Sequence, residues 1–146
     1  MVVTKTSVFP ADRETVCQKL RQLETLQYIA RPYASFEPLD AAAHTWSAGS
    51  TVSCRLRLFG FLPFGVHTIC IVRFDPDGVS SREGNPHVPV WNHDIRMEPA
   101  GRGRTKYTDR VEICAGWKTP FVWLWANAFY AHRQKKWIRL LKEADK

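Results

Sequence analysis

Residues 90–114 read VWNHDIRMEPAGRGRTKYTDRVEIC, and residues 119–143 read TPFVWLWANAFYAHRQKKWIRLLKE. The first stretch alternates. Trp91, His93, Ile95 and Met97 fall on one face of a strand, and Asn92, Asp94, Arg96 and Glu98 on the other, because successive strand side chains point to opposite sides. Thr105, Tyr107, Asp109, Val111 and Ile113 repeat the pattern, opposite Lys106, Thr108, Arg110 and Glu112. Two half-buried strands follow, 90–98 and 104–114, joined by the turn residues 99–103. The second stretch changes period. Thr119 offers an N-cap, and Pro120 suits the first helical position. Val122, Ala126, Tyr130, Arg133, Trp137, Leu140 and Leu141 form one stripe at helical spacing. His132, Lys135, Lys136, Arg139 and Lys142 lie opposite and are expected in water. A helix reaching Glu143 would be roughly 36 Å long.

Working outward, Val2 to Phe9 reads as a strand that Pro10 ends. Asp12 is a good N-cap, and Glu14 adds negative charge to the first helical turn. Val16, Leu20 and Leu23 recur at helical spacing, and a second short helix carries Glu24 to Ala30, closed by Pro32. Strands then dominate: Ala34 to Leu39, Val52 to Leu58, Val66 to Phe74 and Val79 to Glu83. Gly60 to Gly65 reads as a hairpin loop. In the turn Asp75-Pro76-Asp77-Gly78, Pro presets φ and Gly accepts positive φ. The order is strand, helix pair, about six or seven strands and a long helix: an α+β pattern, expected as a single domain over residues 1–146.

The chain has 146 residues and 45% hydrophobic residues, enough for a sizeable core and far from a disordered composition. Six Trp, eight Phe and four Tyr supply rings that fill cores or line apolar pockets. The net charge of +7 would suit acidic partners or anionic membranes. No basic-aromatic cluster matches a nucleic-acid motif, so no nucleic acid is expected. Cys17, Cys54, Cys70 and Cys114 form no CxxC pair and sit in apolar-periodic segments, which reads as reduced core thiols. No signal peptide and no membrane-length apolar run are seen, so the expected location is cytoplasmic.

The opening strand followed by Pro10-Ala11-Asp12-Arg13-Glu14-Thr15-Val16, the short helical pair, the hairpin-rich middle and the terminal helix ending Trp137-Ile138-Arg139-Leu140-Leu141 resemble the START-like superfamily. These proteins are also called SRPBCC, helix-grip or polyketide cyclase-like. The resemblance covers essentially the whole chain. It implies a curved antiparallel sheet wrapped around the C-terminal helix, with an internal apolar pocket between them. Members hold lipids, sterols, polyketides or hormones. Some cyclise or dehydrate polyketides, and others assist protein partners. No catalytic residue is universal, so the resemblance implies a pocket and not a mechanism.

His93 and Asp109 both fall on mainly apolar faces. A hairpin centred on Gly101 pairs His93 with Asp109, Trp91 with Val111 and Ile95 with Tyr107, and a two-residue slip would make His93 and Asp109 diagonal neighbours. A buried carboxylate needs a partner, and imidazole is a suitable one. The pair could fix sheet register, orient a ligand, or act as general acid and base, with Asp109 setting the tautomer of His93. Arg133 interrupts the apolar stripe. It either reaches into the pocket or snorkels to the surface.

The expected ligand-facing set is Trp91, His93, Ile95, Tyr107, Asp109, Arg133 and Trp137, with His67 at the mouth. Phe59, Phe61, Leu62 and Phe64 form one apolar cluster in and beside the 60–65 loop, and residues 121–126 are apolar nearly all round; the two could meet at that mouth or simply pack together. His67, His93, His132 and Asp109 show no recognised ligand spacing, so no metal is expected. No GxSxG, Walker or GxGxxG pattern occurs, and no cofactor is expected. Three functions stay open. They are a binding module for a small hydrophobic ligand, a cyclase- or dehydratase-type enzyme using His93 with Asp109, and an interaction domain using the basic and aromatic surface, with a homodimer through the aromatic helix end possible.

Overall fold

The computed structural model describes residues 1–39 and 46–144. Seven strands form one antiparallel sheet: β1 (Val2–Phe9), β2 (Ala34–Pro38), β3 (Thr51–Leu58), β4 (Leu62–Asp75), β5 (Gly78–Gly84), β6 (Val90–Pro99) and β7 (Thr105–Cys114). Their spatial order is β1-β7-β6-β5-β4-β3-β2. Two short helices, α1 (Arg13–Leu20) and α2 (Leu23–Ala30), follow β1, and α3 (Thr119–Ala144) closes the chain. The sheet curves around α3, the helix-grip arrangement.

Local chemistry explains the helix boundaries, with one correction. The Asp12 carboxylate accepts from the Thr15 amide at 2.8 Å and starts α1. That bond also holds its carboxyl below the usual range. Thr119 is not the N-cap of α3. A 3-10 turn (Gly116–Lys118) leads into the helix, and the Thr119 backbone is already helical. Its hydroxyl accepts from the Ala115 amide at 2.9 Å and donates to the Gly116 carbonyl at 2.7 Å. The residue stitches the turn to the helix instead of capping it.

The strands carry three more corrections. β4 starts at Leu62, so the β3–β4 connection is only Phe59-Gly60-Phe61, with positive φ at Phe59 and Gly60. The expected loop over 60–65 is mostly strand, made irregular by a bulge opposite Arg55–Arg57. Gly78 does not serve through positive φ: a Cβ there would lie 2.2 Å from the Ile95 carbonyl oxygen. Close approach of β5 to β6 excludes any side chain. Finally, the β6–β7 register is shifted by two. Trp91 pairs with Ile113, His93 with Val111 and Ile95 with Asp109. The hairpin centres on Arg102, because the connection runs from Ala100 to Arg104 with positive φ at both Gly101 and Gly103.

The core lies between the concave sheet face and α3. On the β1–β7 side it is filled. Phe9 stacks on Tyr107 at 4.4 Å and on Trp137 at 5.6 Å between ring centroids. All three rings are fully buried, beside Met97 and Val111. Each large side chain buried this way contributes about 1.5–3 kcal/mol. The cysteines divide: Cys17 and Cys54 are core thiols, while Cys70 is half-buried and Cys114 exposed. The expectation of four core thiols fails at Cys70 and Cys114, because both side chains sit on the outer face, of β4 and of the end of β7. Burial, with Glu83 nearby, pushes the Cys54 thiol up to about 11.

Candidate ligand cavity

On the β3–β6 side, sheet and helix separate and enclose a cavity of about 540 Å³. Ligand sites commonly fall between about 300 and 1,000 Å³. Alternation aims Leu56, Ile69, Ile71, Val79 and Ile95 into it from the strands. Leu26 and Ile29 of α2 close one end, and Trp125, Phe129 and Tyr130 of α3 form the opposite wall. Trp117 and Phe121 line the cavity yet are 80% and 68% exposed, so it meets the surface at the start of α3. His87, exposed and tilted against Phe64 with ring centroids 4.5 Å apart, also lines the cavity.

One side of the wall is polar. His67 Nε2 lies 2.8 Å from Glu83 Oε1, and Ser81 donates to Glu83 Oε2. Asn85 Oδ1 accepts from the amides of His87 and Val88, which fixes the orientation of its side-chain amide. Its Nδ2 therefore donates to His67 Nδ1 at 3.0 Å. His67 must then carry its hydrogen on Nε2 and give it to Glu83, the neutral tautomer. Burial opposes charge on Glu83, and the hydrogen bonds from His67 and Ser81 favour it, so its carboxyl stays below the usual range.

His93 bridges this cluster to a second one. Its Nδ1 stands 3.8 Å from Glu83 Oε2, and its Nε2 lies 2.6 Å from Asp109 Oδ1. Asp109 Oδ2 accepts from Gln134 Nε2 at 3.1 Å. Gln134 also donates to the Lys5 carbonyl and accepts from Ser7, tying α3 to β1. His93 and Asp109 thus meet although they are diagonal and not directly paired. The imidazole and the carboxylate span the two-residue offset.

The remaining expected residues divide by location. Trp91, His93, Ile95, Arg133 and His67 line the cavity. Trp91 Nε1 donates to the Tyr130 hydroxyl at 2.9 Å, and burial pushes that phenol well above its ordinary range. Asp109 sits behind His93, 1% exposed. Tyr107 and Trp137 belong to the filled side, 5.9 Å apart between ring centroids. His67 lies deep in the wall and not at the mouth. Arg133 does not snorkel. It is buried, with its guanidinium 4.9 Å from the Tyr130 ring centroid and 5.5 Å from that of Phe129. His132 lies apart, bonded to the Arg31 carbonyl. Among the described residues no group of His, Cys, Asp and Glu is arranged to hold a metal ion.

Sequence reasoning missed Glu83, Ser81, Asn85 and Gln134. Alternation could have found two of them, since Val79, Ser81 and Glu83 share one strand face. Asn85 could not be found that way, because it works from a turn.

The architecture is the helix-grip fold, and solved structures share it. The chain superimposes on a protein from Chromobacterium violaceum (TM-score 0.78, 13% identity, 96% of each chain). It does so also on a START superfamily protein from Mycobacterium smegmatis (0.74, 15%, 98% of each) and on a protein from Thermus thermophilus (0.72, 13%, 100% of each). Within that fold the chain belongs to the family described as a domain of unknown function, DUF8410, matched over residues 7–141. The comparison with curated proteins gives no match. No helix among the described residues is long and apolar enough to cross a membrane.

Proposed function

We propose that this protein binds a small apolar or amphipathic molecule, of lipid, polyketide or aromatic type, in the cavity between sheet and α3. One observation carries the reading. The cavity is walled by aliphatic and aromatic side chains on most sides and by Arg133, His67, Glu83 and His93 on one, so a ligand would be oriented by a single polar end. The fold shared with a START superfamily protein supports it. Native mass spectrometry of gently purified protein, repeated under denaturing conditions, tests it. A stoichiometric apolar adduct, or one formed on adding a ligand library, is the expected result. No adduct from any apolar compound would remove the reading.

A second reading, an enzyme of cyclase or dehydratase type, is favoured by His93. Its ring faces the cavity while Asp109 holds Nε2, the arrangement of a general acid–base group with an orienting carboxylate. A His93→Ala protein that retains ligand but loses turnover would support it, and unchanged turnover would remove it.

A further inference from the structure

Arg133 is the one cationic side chain set deep in the cavity wall, and no carboxylate among the described residues reaches its guanidinium. Only 6% of it is exposed. It forms no ion pair among the described residues, and its Nε is buried without a hydrogen-bond partner. The nearby carboxylates are engaged elsewhere. Glu83 spends its two oxygens on His67 and Ser81, and Asp109 spends its two on His93 and Gln134. These carboxylates and the Tyr130 ring hold the guanidinium charged from a distance but offer its N–H groups no acceptor. A guanidinium carries five donors in a planar fork and matches two oxygens at once. Snorkelling, the usual relief for such a side chain, is not used, since Arg133 lines the cavity. The other cation at the cavity, Lys118, stands at the mouth and cannot take this role.

We infer that the ligand's polar end is a carboxylate seated on Arg133, with the ligand's apolar body lying between Ile71, Val79 and Trp125. The inference rests on the binding reading above and specifies its ligand class: a small hydrophobic carboxylic acid. A neutral carbonyl offers the guanidinium one oxygen without charge; a carboxylate offers the planar fork two oxygens and a charge-assisted bond to each. The imidazole of His93 borders the same space and gives the second oxygen a further donor when its Nδ1 is protonated.

The test uses the whole chain and three probes: the neutral apolar dye N-phenylnaphthylamine, dodecanoate and dodecanol. Dye fluorescence reports whether the cavity takes an apolar guest. Displacement then compares two chains that differ only in the head group. The expected result is dye uptake, with dodecanoate displacing it about tenfold or more better than dodecanol. In Arg133→Gln that preference falls towards unity, and in Arg133→Lys, which keeps the charge but loses the fork, it is intermediate. Near-ultraviolet circular dichroism checks that both variants are folded. Equal displacement by acid and alcohol in the unmodified protein overturns the carboxylate inference and leaves the binding reading standing. So does a preference that survives in Arg133→Gln. No uptake of dye, acid or alcohol overturns both. The comparison in the unmodified protein needs no variant, so the inference stays testable if Arg133→Gln does not fold.

Discussion

The two halves of the sheet–helix interface are built from the same residue types and end differently. Near β1 and β7, Phe9, Tyr107 and Trp137 interlock until no ring surface is exposed. Near β3, β4 and β5, Leu56, Ile71 and Val79 face Trp125 and Phe129 across a cavity of about 540 Å³. Protein interiors normally pack like organic crystals, and cavities destabilise in proportion to their volume. A chain that packs one half solid has the side chains to pack the other. The difference shows where stability resides and where a guest can enter. The polar cluster lies at the seam: Asp109 and Gln134 belong to the filled half, and Glu83 and His67 to the cavity wall.

The comparison breaks most sharply at Trp137. Trp137→Ala should cost about 3–5 kcal/mol, since it leaves a void in the filled half. Urea unfolding followed by circular dichroism measures this, and a loss below about 1 kcal/mol would mean that half is not the stabilising one. Next comes enlargement. Val111→Phe, in the filled half, should cost about 1–3 kcal/mol by overpacking. Ile71→Phe adds similar bulk but points into the cavity, so it should cost less than about 1 kcal/mol. Equal costs at the two positions would erase the distinction.

The seam gives a pH prediction. The carboxyl of Glu83 is depressed in the folded protein. It therefore contributes stability that is fully present above its unfolded value, about 4.3, and is lost as pH falls through the folded value. Glu83→Gln should lower stability at neutral pH and flatten that part of the acid limb. An unchanged acid limb would show that Glu83 does not contribute to it. The smallest effect belongs to the surface: Phe61→Ser, at a ring 76% exposed, should stay within about 0.5 kcal/mol in thermal or urea unfolding.

Much of this was legible in the sequence, for physical reasons that differ by element. Strand alternation placed Trp91, His93 and Ile95 on the inner face, and helical spacing placed Arg133 there, because direction follows from periodicity alone. The register of β6 and β7 was not legible. It depends on where the chain turns, and two glycines in 99–105 move that point by one residue, shifting every pair by two. The His93–Asp109 contact survived because a two-residue shift keeps both side chains on one face. Gln134 was lost among its polar neighbours on the helical wheel. A buried glutamine is justified only by Ser7, Lys5 and Asp109, which come from distant parts of the chain. The split into filled and open halves was least legible of all: periodicity gives the direction of Tyr107, Trp137 and Ile71 alike, but volume emerges only when sheet and helix meet.

The most direct test of that split is the affinity of N-phenylnaphthylamine for the unmodified protein and for Ile71→Phe, with folding confirmed in both. Saturable binding to the unmodified protein and a loss of about tenfold or more in Ile71→Phe are expected. No binding to the unmodified protein, or equal binding to both, would contradict that split.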